Sequence, residues 1–250
     1  MRRFFVPLEL SAGQTVDLES DLTHRLRRVL RLGAGDGVIL VDAAGRECEA
    51  VLESVDGSRA TARVVGERRG LPEPAVEIVL YQSLIKGDRF EWVLEKGTEL
   101  GVAKFVPLLV ERGVVRPRTE RLGRRERWQR IVREAAEQCG RSALPPVEPP
   151  VGLSEALASP GGLRLLPWEE ERTLGLRAVL REGLAQREGG KRPLVGVFIG
   201  PEGGFTRAEV EEALALGVRA VSLGPRILRS ETAGIATVAA VLYECGELGV

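Results

Sequence analysis

From residue 76 onward, short apolar runs alternate with longer stretches whose apolar residues return every three or four positions. The runs VEIVLYQSL (76–84), KFVPLLV (104–110), GLRLLPW (162–168), LVGVFIG (194–200) and RAVSLG (219–224) predict buried strands. Helical spacing marks DRFEWVLEKGTEL (88–100), ERLGRRERWQRIVREAAEQC (120–139), LGLRAVLREGLAQ (174–186), the stretch after Thr206, and ETAGIATVAAVLYECG (231–246). Strands that are apolar on both faces and alternate with helices predict an α/β domain on a mostly parallel sheet. LPPVEPPVGLSE (144–155) is proline-rich, but the rhythm continues after it, so it reads as a loop within that domain.

The first 68 residues have a different texture. GVILVD (37–42), ECEAVLESV (47–55) and RATARVV (59–65), separated by Gly and Asp turns, predict a small β-barrel or sandwich. One helix, SDLTHRLRRVLRL (20–32), interrupts them. Leu22, Leu26, Val29 and Leu30 form its apolar stripe, and Arg25, Arg27, Arg28 and Arg31 take the remaining positions. GERRGLPEPA (66–75) reads as a linker. The expected division is 1–70 and 71–250.

Charge changes this picture locally rather than globally. Acidic and basic residues balance at 36 each, so any surface for a polyanion is confined to part of the molecule. Between Arg112 and Arg141 ten arginines face four acids, and Trp128 sits among them. This is either a solvated helix face or, with the arginines of CGRSALPP and PRILR, a surface for a polyanionic substrate. Arg2 and Arg3 could extend the arginines of the 20–32 helix into a similar patch.

Other chemistry is narrowed by what is scarce. The single histidine, His24, removes most Ser-His, Cys-His and zinc schemes, and no metal is expected. Cys48, Cys139 and Cys245 have no CxxC-type spacing and read as reduced thiols. The apolar part of MRRFFVPLEL is too short for a signal peptide, and no stretch approaches a membrane span. A soluble cytoplasmic protein is expected.

The motif that invites chemistry is VFIGPEGGFTRAEVEEALALG (197–217). A strand ends at Ile199, glycines follow, and Thr206 with Glu209 has the spacing of a capping box. SLGPRILRSETA (222–233) repeats the arrangement at the next strand end. Two adjacent strand ends without bulky side chains can wall one crevice. A nucleoside triphosphate would want GxxxxGK[ST] and a dinucleotide GxGxxG, and neither spacing is present. A third ligand type, held by main-chain groups with a flat base between Leu223, Ile227 and Leu228, fits better. Two ordinary turns would also account for the pattern. In the last helix Ile235, Val238, Leu242 and Cys245 form a stripe crowded by small residues, suited to burial in its own domain or against a second subunit.

Together, FIGPEGGFTRAEV, SLGPRILRSETA, EWVLEKGTELGV and REAAEQCGRSALPPV resemble the signature segments of bacterial ribosomal RNA small-subunit methyltransferases of the SPOUT superfamily, which methylate N3 of a uridine in 16S rRNA. RRFFV followed by HRLRRVLRLGAGD is similar to that family's opening, so the likeness spans nearly the whole chain.

The resemblance implies a C-terminal SPOUT-type α/β domain with a trefoil knot, although true knots are close to absent among protein chains. It also implies an N-terminal PUA-like barrel, a homodimer, and 16S rRNA or the small subunit as substrate. S-adenosylmethionine would be lined by Ile199, Gly200, Pro201 and Glu202, by Leu223, Gly224, Arg226, Ile227 and Leu228, and by Leu166 and Pro167. Arg229, with Arg226 behind it, would stabilise the uracil anion. Glu231 would be the base, and Glu202 would hold cofactor or substrate. Arg2, Arg3, Arg25, Arg28, Arg31 and Arg141 would face RNA. Ser230 stands where threonine is expected and Gly113 where serine is common. The first keeps a hydroxyl and the second does not.

Overall fold

The computed structural model describes residues 1–114, 122–159, 161–185 and 192–249. Arg116, Arg118 and Arg121 of the basic stretch, the start of the 120–139 helix and Gln186 lie outside the described residues. The chain divides into two compact units, Met1–Glu73 with Arg133–Leu144, and Pro74–Val132 with Pro145–Val250.

The first unit is a five-stranded sheet of β1 (Arg2–Phe5), β2 (Thr15–Leu18), β3 (Gly37–Val41), β4 (Glu47–Asp56) and β5 (Arg59–Arg68), in the order β1-β3-β4-β5-β2. Only β1 and β3 pair in parallel. Alternation along β5 sends Ala60, Ala62 and Val64 inward, where they meet Phe4, Leu10, Leu26, Leu40 and Leu52. Strand β5 extends through Arg68, so the first three residues of the expected linker belong to the sheet.

The helix of this unit departs from its expected stripe. α1 (Ser20–His24) continues as a π-helical stretch, Arg25–Leu30. Leu22 and Leu26 are buried, but Val29 is 69% exposed. A π turn holds an extra residue, so the position three after Leu26 rotates off the core face. Leu32 N–H closes the end on Leu26 O at 2.9 Å, and Arg31 leaves in the left-handed region with φ 56°.

The second unit contains β6 (Glu77–Ser83), α2 (Arg89–Leu100), β7 (Lys104–Leu109), the part of α3 (Leu122–Cys139) before Arg133, β8 (Val151–Gly152), α4 (Leu153–Leu157), β9 (Leu163–Pro167), α5 (Leu176–Ala185), β10 (Leu194–Ile199), α6 (Arg207–Ala215), β11 (Arg219–Val221) and α7 (Ser230–Glu244). Its six strands are all parallel, in the order β11-β9-β10-β6-β7-β8. The proline-rich stretch read as a loop therefore ends in a short edge strand and a helix turn.

Both sheet faces are covered, which is why these strands read as continuous apolar runs. Ile78, Leu80, Val195 and Val197 pack with Val93, Leu94, Val179, Val238 and Val241 in one cluster. Leu108, Leu166 and Phe198 pack with Leu153, Leu157, Phe205 and Val210 in another. Trp128, expected among the basic residues, is 5% exposed and stands 4.7 Å from the Phe90 ring. It is a core residue, while Arg124, Arg125 and Arg127 beside it are exposed.

Candidate functional site

Because β9 pairs with both β10 and β11, the connection from β10 to β11 has to pass β9. The loops that leave the carboxyl ends of these strands, 168–175, 200–206 and 222–229, converge there, as ligand-binding loops do in open α/β sheets. They enclose a cleft of about 940 Å³. Pro167, Ile199, Gly200, Pro201, Glu202, Leu223, Gly224, Arg226, Ile227, Leu228 and Arg229 all border it. Leu166 does not: its side chain is 1% exposed and packs with Phe198 in the opposite-face cluster, because neighbours on a strand point to opposite faces.

The glycines of the first loop first serve the loop itself. Gly204 N–H bonds back to Pro201 O at 3.0 Å, with Gly204 at φ +67°. A Cβ on Gly200 would lie 3.2 Å from Gly204 C and from the Phe205 ring. Arg112 Nη1 braces the loop by donating to Gly203 O at 2.9 Å. The capping box forms as its spacing predicts: Glu209 N–H donates to Thr206 Oγ1 at 3.3 Å, and Thr206 N–H to Glu209 Oε2 at 2.7 Å.

In the third loop Gly224 has φ +108° with open space around it, and Ile227 is 85% exposed at the lip. Arg226 and Arg229 are exposed there and pair with no carboxylate among the described residues. Exposed cations beside an open apolar side chain suit a flat anionic or polar ligand.

The loop after β9 was not singled out in the sequence, although it follows a strand end just as the other two do. It contributes Trp168, Glu169, Glu171 and Arg172 to the cleft. Glu171 is committed to its own turn, accepting from Thr173 N–H at 2.6 Å, Thr173 Oγ1–H at 2.7 Å and Leu174 N–H at 2.9 Å. The Thr173 hydroxyl, then the Leu174 and Thr173 amides, hold its carboxyl down at about 2.

The two candidate carboxylates share a cation that sequence reading missed. Glu202 Oε1 accepts from Lys86 N–H at 3.1 Å and lies 3.5 Å from Arg89 Nη1. Glu231 does not border the cleft directly. Its Oε1 is 3.8 Å from Arg89 Nε, and its buried Oε2 has no partner among the described residues. Arg89 opens α2, far from both carboxylates in sequence, and only the fold brings them together.

The arginines expected to face RNA separate into two kinds. Arg2, Arg28 and Arg31 are exposed, and Arg25 is half-exposed while pairing with Glu137 at 2.6 Å. Arg3 and Arg141 turn inward. Arg3 binds buried Glu47 at 2.6 Å, and Arg141 binds Glu73 at 2.5 Å. Buried guanidinium groups need such partners, which leaves these two away from the surface. Among the described residues no cluster could hold a metal ion, and no helix is long and apolar enough to cross a membrane.

Comparison with known proteins agrees with this geometry. The RNA methyltransferase domain family matches residues 72–242, and the RNA methyltransferase PUA domain family matches 22–65. The ribosomal RNA small subunit methyltransferase E of Synechocystis is 38% identical, over 96% of this chain and 76% of that protein. That of Bacillus subtilis is 32% identical, over 98% and 97%. Among solved structures, the Neisseria gonorrhoeae methyltransferase E bound to S-adenosyl methionine is 37% identical, with a TM-score of 0.84 over 97% of each chain. A Legionella pneumophila methyltransferase in complex with the same cofactor is 30% identical, with a TM-score of 0.86 over 96% of each. With a three-loop cleft at the ends of parallel strands and family matches across both units, the chain belongs to the RNA methyltransferase family that includes the ribosomal RNA small subunit methyltransferase E proteins.

Proposed function

We propose that this chain methylates N3 of a specific uridine in 16S rRNA of the small ribosomal subunit, using S-adenosylmethionine. The observation that carries the reading is the cleft bordered by both glycine–proline loops, with exposed Arg226 and Arg229 at its lip. Its residues fit the cofactor. Leu223, Ile227 and Leu228 offer apolar surface to a flat base, and the bare backbone at Gly203 and Gly224 lets main-chain groups approach. Bound there, the cofactor supplies an electrophilic methyl group on a sulfonium.

The protein's part is orientation and charge. The uridine must be unstacked so that its Watson–Crick edge enters the cleft. Loss of the N3 proton leaves negative charge on the uracil carbonyl oxygens, where Arg229, backed by Arg226, stabilises it. Glu231 is the candidate proton acceptor, reached from the cleft through an intervening water: Arg89 holds one of its oxygens, and the other has no partner among the described residues. Glu202, held by Lys86 N–H and Arg89, fixes the first loop.

The same reading assigns residues 1–70 to a PUA-like RNA-binding domain, with Arg2, Arg25, Arg28 and Arg31 contacting phosphates, and 71–250 to the knotted methyltransferase domain. The β10–β11 connection passing β9, with Val238, Val241 and Leu242 of α7 packed into the cluster that holds Leu80 and Ile199, supports threading of the C-terminal segment. Exposed Thr232, Ala236 and Tyr243 on the outward side of α7 support a homodimer through that helix. The protein works in the cytoplasm, where its substrate is assembled.

Incubation with labelled cofactor and small subunits lacking the modification is expected to place label on N3 of one uridine. Label on a ribose hydroxyl, or no label, refutes the proposal.

A further inference from the structure

Beneath the cleft lies a polar group that the apolar strand pattern hides. Gln82, the penultimate residue of β6, is 1% exposed and sits in register with Ile199, the last residue of β10. Its Nε2 donates to Ser230 Oγ at 2.9 Å and to Ser83 O at 3.3 Å. Ser230 in turn donates its hydroxyl proton to Gly200 O at 2.5 Å. Ser230 is the first residue of α7 and directly follows the 222–229 loop, while Gly200 opens the 200–206 loop. Three elements distant in sequence thus meet at one hydroxyl that is both acceptor and donor.

The amide needs room made for it. Its Oε1 is buried without a partner among the described residues and faces α7 at Gly234, where a Cβ would stand 2.8 Å away. A buried amide with one end unpartnered costs stability, so the bonds made by its other end call for an explanation.

We infer that Gln82 is a positioning residue that, through Ser230, sets the spacing between the two glycine–proline loops and so the width of the cofactor slot. This rests on the cofactor reading above. It also gives the Ser230 hydroxyl a role, as acceptor from Gln82 Nε2 and donor to Gly200 O. Gln82 lies behind the cleft lining and Ser230 within it, and the effect is on how the loop backbones are presented.

The test compares wild type, Q82L, S230A and the double variant, by calorimetry with S-adenosylmethionine and by amide hydrogen exchange without it. Each single variant is expected to weaken cofactor binding about tenfold, the scale of one lost buried hydrogen bond. The double variant should be no weaker than the poorer single, because both break one chain of bonds. Exchange should rise in 200–206 and 222–229 while the strands stay protected, which a general loss of stability would not produce. Variants that bind like wild type, losses that multiply, or exchange that rises everywhere overturn the inference. Should wild type itself fail to bind the cofactor, the cofactor reading falls, and the exchange pattern alone decides whether Gln82 couples the loops.

Discussion

Replacing Gly204 by alanine separates backbone strain from steric crowding in the first loop. Gly204 sits at φ +67°, the left-handed region, where an L side chain costs about 1–2 kcal/mol. A Cβ would also overlap a carboxylate oxygen of Glu169. Glu169 is exposed and flexible, so it can swing aside, and most of the cost should be the dihedral one. G204A is therefore expected to lose about 1–2 kcal/mol. For a chain of this size that lowers the thermal midpoint by roughly 2–8 °C. Differential scanning calorimetry of G204A, E169A and the double variant measures it. The loss should persist in the E169A background. An unchanged midpoint in G204A, or full recovery in the double variant, would refute the reasoning.

Three further outcomes follow from the same geometry. T206A removes the hydroxyl half of the capping box and should cost about 1 kcal/mol by denaturant unfolding, with T206S near wild type. F198A empties a fully buried site and removes a ring stacked 4.2 Å from Tyr81, so it should cost about 3–5 kcal/mol. Glu171 has its carboxyl depressed from 4.5 to about 2, so the turn it holds is fully supported above pH 4.5 and loses that support as pH falls toward 2. Carboxyl carbon NMR should show this titration, and T173A, lacking the hydroxyl that lowers it most, should move it upward.

Local chemistry made much of the fold legible. Strands β6, β7, β9 and β10 announced themselves because a parallel sheet covered on both faces demands uninterrupted apolar residues. Thr206 and Glu209 were readable because a capping box closes within four residues. β1 and β2 were missed, being four residues each and existing as strands only through pairing with β3 and β5. Val29 was misplaced because a π turn cannot be seen in a 3.6-residue period. Arg3 and Arg141 looked like surface cations because Glu47 and Glu73, which draw them inside, are distant in sequence.

What the sequence by itself determined is the succession of elements and the two bare strand ends, since periodicity, caps and turns depend on neighbours a few residues apart. What only the tertiary structure decided is which side chains those ends meet. Arg89 between Glu202 and Glu231, and Gln82 holding Ser230 against Gly200, arise from a strand order that places β6 beside β10 and β11 beyond β9. Hydrogen bonds and ion pairs act over about 3–4 Å of space whatever the length of chain between them, so no local pattern foretells them.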